Sequence, residues 1–403
     1  MMKKMMMLAV ALMVGGLLTV EAAPKKEKKA AEPEGFQFTD LKTIPITPVK
    51  DQHRSGTCWC FSALSWLESE IMRNGGKEIH LSEMWIVRNI YFEKAVKYVR
   101  LHGALNFAVG GAGGDVPYGI KKYGIVPHEI YTGFNYGTDK PFFNEIDAVL
   151  KAYVDTIIKA PNKKLTTAWM NGLNAILDAY FGEMPETFEW EGKTYTPQTF
   201  AASLPINLDD YVSLTSFTHH PFYEQFVIEV PDNWRWEASY NLPLEELMQV
   251  VDNSLEQGYA IEWATDVSEK GFSRSKAIGI VPDVDLDGMD GTEAERWGKL
   301  TAAEKEAALY SFDKPVKELT ITQEMRQMAY DNYETTDDHG MVIVGTAVDQ
   351  QGNPYFKVLN SWDVRPPYGG YFYFSRPFVE YKTMSILVNK NAIPAEIRAK
   401  LNL

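Results

Sequence analysis

The chain has 403 residues, of which 45% are apolar and 13% aromatic, so it is long and apolar enough to bury a real core and is unlike a disordered or fibrous protein. Its formal charge of −14 argues against binding a nucleic-acid backbone, which requires clustered lysine and arginine. The two cysteines, Cys58 and Cys60, stand too close together to staple a fold, which leaves packing as the source of stability.

Met1 to Lys4 form a short basic start, Met5 to Val20 an apolar stretch, and Ala22 or Ala23 a small-residue cleavage position. Together these predict a secretory signal peptide over residues 1–22. The apolar stretch is short for a membrane span, and no cysteine follows it to carry a lipid, so no membrane anchor is expected. The predicted location is periplasmic or secreted. Residues 23–44, rich in Pro, Ala and Glu around the basic run Lys25–Lys29, read as a disordered spacer.

The segment 52–62, Gln-His-Arg-Ser-Gly-Thr-Cys-Trp-Cys-Phe-Ser, places Cys58 at the start of a helix. Phe61, Ala63, Leu64, Leu67 and Ile71 continue at helical spacing, with Glu68, Glu70 and Arg73 expected to face water. A cysteine at a helix N-terminus sits at the positive end of the macrodipole, which favours the reactive thiolate. Cys60 reads as a small buried hydrophobe. Gly110-Gly-Ala-Gly-Gly-Asp115 follows, where missing side chains allow two backbones to approach closely. Helices are predicted over 145–160 and 166–182. A hairpin spans 188–195 around Glu191-Gly192, and a helix starts at Pro197. Another helix covers 244–257, and a strand begins near Tyr259.

His339 precedes the β-branched run Gly340-Met-Val-Ile-Val, and Asn360-Ser-Trp362 ends the strand-like Tyr355–Leu359. Joined by the turn at 349–354, these strands would set His339 beside Asn360. A cysteine nucleophile, a histidine base and an asparagine that orients the imidazole make a workable hydrolytic set. His53 lacks a strand position opposite the helix and is a poor base. His219-His220 is not expected to bind metal, because adjacent histidines rarely aim at one point and no Cys, His or Glu cluster accompanies them. Asp283–Gly288 matches half of a calcium loop, but Ala294 stands where the bidentate glutamate belongs, so a solvated acidic loop is expected over 283–295.

The cysteine segment resembles that of papain-like cysteine peptidases, in which a glutamine six residues before the cysteine serves the oxyanion hole and a tryptophan follows the nucleophile. Ser55 replaces the earlier cysteine of that pattern, and Gly56, Phe61 and Ser62 are similar to the bleomycin hydrolase and aminopeptidase C branch. The resemblance implies an α+β, two-lobe papain-like fold. Its segments are a helical left lobe over 45–133, a mainly helical insertion over 134–250 that accounts for the long Cys58–His339 separation, and a β-rich right lobe over 251–403. It implies peptide substrates, no cofactor and no metal, with an oligomer compatible with the sequence. It further implies that Cys58, His339 and Asn360 are catalytic, Gln52 an oxyanion donor, Gly113 and Gly114 substrate-binding, and Trp362 a shield over the Asn–His bond. In the branch a C-terminal arm places its carboxylate in the cleft and sets aminopeptidase mode. This sequence ends at Leu403 with no such arm, so either aminopeptidase or endopeptidase mode is open, unless the insertion or an acidic side chain closes the cleft instead.

Overall fold

The computed structural model describes residues 35–160, 164–283 and 299–403. The expected signal peptide, the spacer as far as residue 34 and the acidic loop beyond Asp283 lie outside the described residues. Among the described residues no helix is long and apolar enough to cross a membrane.

Helix α1 (Cys58–Arg73) is buried on every side from Trp59 to Ile71. The acidic residues expected to face water do not. Glu68 is fully buried and accepts from Thr47 Oγ1 (2.5 Å), Lys50 Nζ (2.7 Å) and the Leu81 amide (2.8 Å). Glu70 is held by Arg73 and by Asn389 Nδ2 at 2.8 Å. Chain from both sides wraps this helix, and buried carboxylates are tolerated because each is paired and hydrogen-bonded. Against α1 lie α2 (Glu83–Arg100), started by a Ser82 cap on the Trp85 amide, and α3 (Asp115–Tyr123). Helices α4 (Asn144–Ile158) and α5 (Ala168–Phe181) pack on α2 through Leu150 and Val154, and Leu173 and Leu177, each pair spaced four apart. Strands β2 (Phe188–Trp190) and β3 (Lys193–Tyr195) form the expected hairpin, with Glu191 and Gly192 both at positive φ. Helix α6 (Pro197–Ser203) starts on a Thr196–Thr199 capping box with proline at its first position.

One sheet forms the rest. Its order is β5 (Gln225–Val227), β6 (Ala238–Asn241), β4 (Tyr211–Thr215), β13 (Thr383–Asn389), β7 (Ile261–Thr265), β10 (His339–Val348), β11 (Pro354–Leu359), β12 (Tyr371–Ser375), β9 (Ile278–Gly279) and β8 (Phe272–Ser273). Helix α7 (Leu244–Glu256) packs on β7 and β10. Two segment boundaries differ from the sequence reading. The spacer expected to reach residue 44 becomes β1 (Thr39–Thr43), paired with β10. The β-rich part expected from residue 251 recruits β4, β5 and β6 from the insertion, with β4 pairing β13. These strands are short, and β1 is mostly polar and solvent-facing. Their partners lie far away in sequence, so no local periodicity marks them.

The sheet meets α1 where β10 begins. A methyl group at Gly340 would lie 2.8 Å from Ser62 Oγ and 3.3 Å from the Trp59 Cα. Glycine after His339 is what lets the strand close on the first turn of α1 and carry His339 to Cys58.

Candidate active site

Cys58 is the first residue of α1, so its amide has no intrahelical acceptor and is free for another oxygen. On the opposing strand end, His339 Nε2 lies 2.9 Å from Asn360 Oδ1. That oxygen also accepts the Ser361 amide at 2.7 Å, which sets the asparagine so that it receives the imidazole N–H. The Trp362 ring stacks on His339 with centroids 4.6 Å apart, and the Arg274 guanidinium lies over Trp362 at 4.8 Å.

Gln52 is 6% exposed and is pinned to the same segment. Its amide donates to the Ser361 carbonyl at 2.8 Å, and its Oε1 accepts Ser361 Oγ at 2.6 Å. With the oxygen occupied, Nε2 is the end left to donate. The structure therefore brings Gln52, Cys58, His339, Asn360 and Trp362 to one junction between α1 and the sheet. Ser361, which orients Gln52, and Arg274, which covers Trp362, were not singled out in the sequence. The serine between Asn360 and Trp362 was the available signal; nothing local marks Arg274.

The electrostatics differ from the thiolate expected at a helix start. Burial pushes the Cys58 thiol up to about 12, outweighing the opposing bond from the Gly340 amide, and the nearby Asp337 and Asp232 add smaller contributions in the same direction as burial. Burial also pushes His339 down to about 4, against the bond to Asn360. The site without substrate holds a neutral thiol beside a neutral imidazole, because desolvation and two carboxylates outweigh the helix terminus.

The glycine strip lies beside this junction, tied to it by Trp59 Nε1 donating to the Val109 carbonyl at 3.1 Å. The space that the missing side chains leave is taken by the protein's own carboxylates. A methyl group at Gly110 would overlap Asp232, at Gly113 Glu262, and at Gly114 Glu237. Segment 229–237 is locked onto the strip: Trp234 Nε1 and Arg235 Nε each reach the Asp115 carboxylate at 2.6 Å.

Two other histidine groups converge on a carboxylate. Contrary to expectation, His219 and His220 both meet one partner, Glu229, at 3.2 and 3.4 Å, an approach invisible in sequence order. His80 and His128 meet Glu83 at 3.0 and 3.4 Å. Their rings stack at 4.1 Å and 5°, so a single ion cannot lie in both ring planes, and Glu83 already pairs with Lys50 at 2.8 Å. His53 Nδ1 lies 3.1 Å from the Pro141 carbonyl, to which it can donate.

Comparison with known proteins gives a consistent picture. A family model described as papain family cysteine protease matches residues 32–105, and one described as peptidase C1-like family matches residues 290–403. The chain is 23% identical over 397 residues to aminopeptidase C of Lactobacillus delbrueckii subsp. lactis, covering 88% of this chain and 82% of that protein. It is 24% identical over 390 residues to aminopeptidase W of the same organism (87% and 82%), and 24% over 273 residues to bleomycin hydrolase of Gallus gallus (56% and 60%). Among solved structures, PepW from Lactobacillus rhamnosis superimposes with a TM-score of 0.65 at 21% identity, covering 90% of this chain and 84% of that one.

Proposed function

Because the chain belongs to the papain-like peptidase C1 family, in its aminopeptidase C and bleomycin hydrolase branch, we propose that this cysteine peptidase acts as an aminopeptidase, with Cys58, His339 and Asn360 as its catalytic residues. The observation that carries the exopeptidase mode is the cover on the glycine strip. Segment 229–237, anchored to Asp115, lies along the strip and limits how far a peptide extends beyond Cys58 on that side. Likeness to aminopeptidases C, G and W supports the same mode.

His339 takes the Cys58 proton as the sulfur attacks the first peptide carbonyl. Asn360 holds the imidazole in place and stabilises its cationic form through the 2.9 Å bond. The oxyanion is met by Gln52 Nε2 and the Cys58 amide. His339 then returns its proton to the leaving amine, and water, deprotonated by His339, hydrolyses the thioester. Gly113 and Gly114 lie beside the substrate's first residue. Export to the periplasm or beyond remains part of this reading, supported by the basic and apolar N-terminal residues of the sequence.

The test compares one peptide with a free and an acetylated N-terminus. Stepwise release of single residues from the free form alone is expected; internal cleavage of the acetylated form overturns the exopeptidase reading.

A further inference from the structure

Three acids without an ion-pair partner among the described residues lie near one another: Asp337 and Asp232 both act on the Cys58 thiol, and Asp337 acts on Glu262. Glu262, on β7, is 2% exposed; its Oε1 accepts Ser62 Oγ at 3.0 Å, and its Oε2, directed at Gly113, accepts no hydrogen bond from a described residue. Asp337, two residues before His339, is partly exposed and accepts none. Asp232 rests against Gly110 and accepts only Asn106 Nδ2 at 3.3 Å. Among the described residues no lysine or arginine pairs with any of them. Lys94, whose charge acts on Asp232 from a distance, donates instead to the carbonyls of Ala108 and Gly110. Glu68 and Glu83, by contrast, share the ammonium of Lys50.

Burying an acid without a partner is costly, and the cost is relieved when a cation arrives. We infer that Asp232, Glu262 and Asp337 form the receptor for the substrate's free α-ammonium, Glu262 at its floor and the two aspartates at its rim. This rests on the peptidase reading above and names the group that would make it an aminopeptidase. An ammonium has three donors, matching three carboxylates that otherwise lack a charged partner. Binding of the amine also offsets the contribution that Asp337 and Asp232 add to burial in keeping the Cys58 thiol protonated, so the nucleophile is eased towards its reactive form when a peptide N-terminus is in place. Supporting this, burial and the neighbouring acids push both Glu262 and Asp337 up to about 8, as groups poised to ionise against an incoming cation.

The experiment measures kcat/KM for one peptide with a free and an acetylated N-terminus, in the full chain and in Glu262→Gln, Asp337→Asn and Asp232→Asn. The free-to-acetylated ratio is expected to fall by about tenfold or more in Glu262→Gln and Asp337→Asn. An unchanged ratio overturns the receptor. A ratio that instead follows a lysine placed in the acetylated peptide overturns it too, because the carboxylates would then read a side chain. If the wild-type chain cleaves neither peptide, the peptidase reading fails by itself. The receptor is then read by calorimetry on Cys58→Ala: tighter binding of the free-amine peptide, lost in Cys58→Ala/Glu262→Gln, supports it, and equal affinities for both peptides overturn it.

Discussion

At the scale of single residues, the proposed mechanism depends on a proton transfer that burial makes uphill until substrate binds. Cys58 begins a helix, yet its thiol is pushed up to about 12, while Cys60, two residues on and on the opposite side of the helix, is fully buried with Sγ 3.5 Å from the Glu83 carbonyl. A thiol alkylator is therefore expected to label Cys58 and spare Cys60. Labelling should climb as pH rises above neutral, without the plateau between pH 5 and 8 that a resting thiolate–imidazolium pair would give. A plateau, read by mass spectrometry of the labelled chain, would contradict the neutral pair. His339→Ala is expected to lower kcat by about 10²–10⁴-fold, and Asn360→Ala by less, because the asparagine orients the base and never takes the proton. Equal losses in two folded variants would give Asn360 a larger part. Glu262 bears on stability as well. Between its ordinary value of 4.5 and its folded value of about 8, the folded chain keeps a proton that the unfolded chain has released. Stability is thus present at low pH and lost as pH rises through that window. Asp337 acts with the same sign, so Glu262→Gln should remove roughly half of their combined slope in urea melts between pH 5 and 8.5.

At the scale of elements, two contacts position the chemistry. Gly340 allows β10 to touch the first turn of α1, and Gly340→Ala sets a methyl group against the Trp59 backbone, which cannot rotate away. The strand is expected to shift, lowering kcat far more than the roughly 1–3 kcal/mol that overpacking takes from stability. Circular dichroism melts beside peptide turnover separate the two effects. The second contact is the clasp of segment 229–237 on Asp115. Trp234→Ala removes one anchor, a 2.6 Å bond from a buried indole, and should loosen the cover on the glycine strip. Acetylated peptides are then expected to gain relative to free ones, and an unchanged preference would place the limit on peptide length elsewhere.

Across the whole molecule, the two central helices α1 and α2 are joined by buried charge as well as by apolar packing. Lys50 sits between Glu68 on α1 and Glu83 on α2, at 2.7 and 2.8 Å, and its ammonium is held above its usual range because both carboxylates outweigh its burial. Lys50→Met would strand two carboxylates in the core, and a loss of about 3–5 kcal/mol is expected in equilibrium unfolding. A loss under 1 kcal/mol would mean that water or the His80–His128 pair compensates.

The sequence by itself determined the parts whose signal is local. Cys58 at a helix start, the proline-led helix at 197, the Glu191-Gly192 hairpin and the strands carrying His339 and Asn360 were all legible, because periodicity, capping and turn chemistry act over a few residues. Pairing across the chain was not. Glu68 and Glu70 read as solvent-facing until chain from both sides closed over α1, and β1 and β4 have no pattern apart from their distant partners. The glycine strip shows the same limit within the site. Its lack of side chains was plain in the sequence, but which groups would fill the space was decided when the fold brought Asp232, Glu237 and Glu262 onto it. Local rules act through the backbone of neighbouring residues, whereas burial, charge and access at Cys58 are set by side chains hundreds of positions apart, and only tertiary packing brings those into contact.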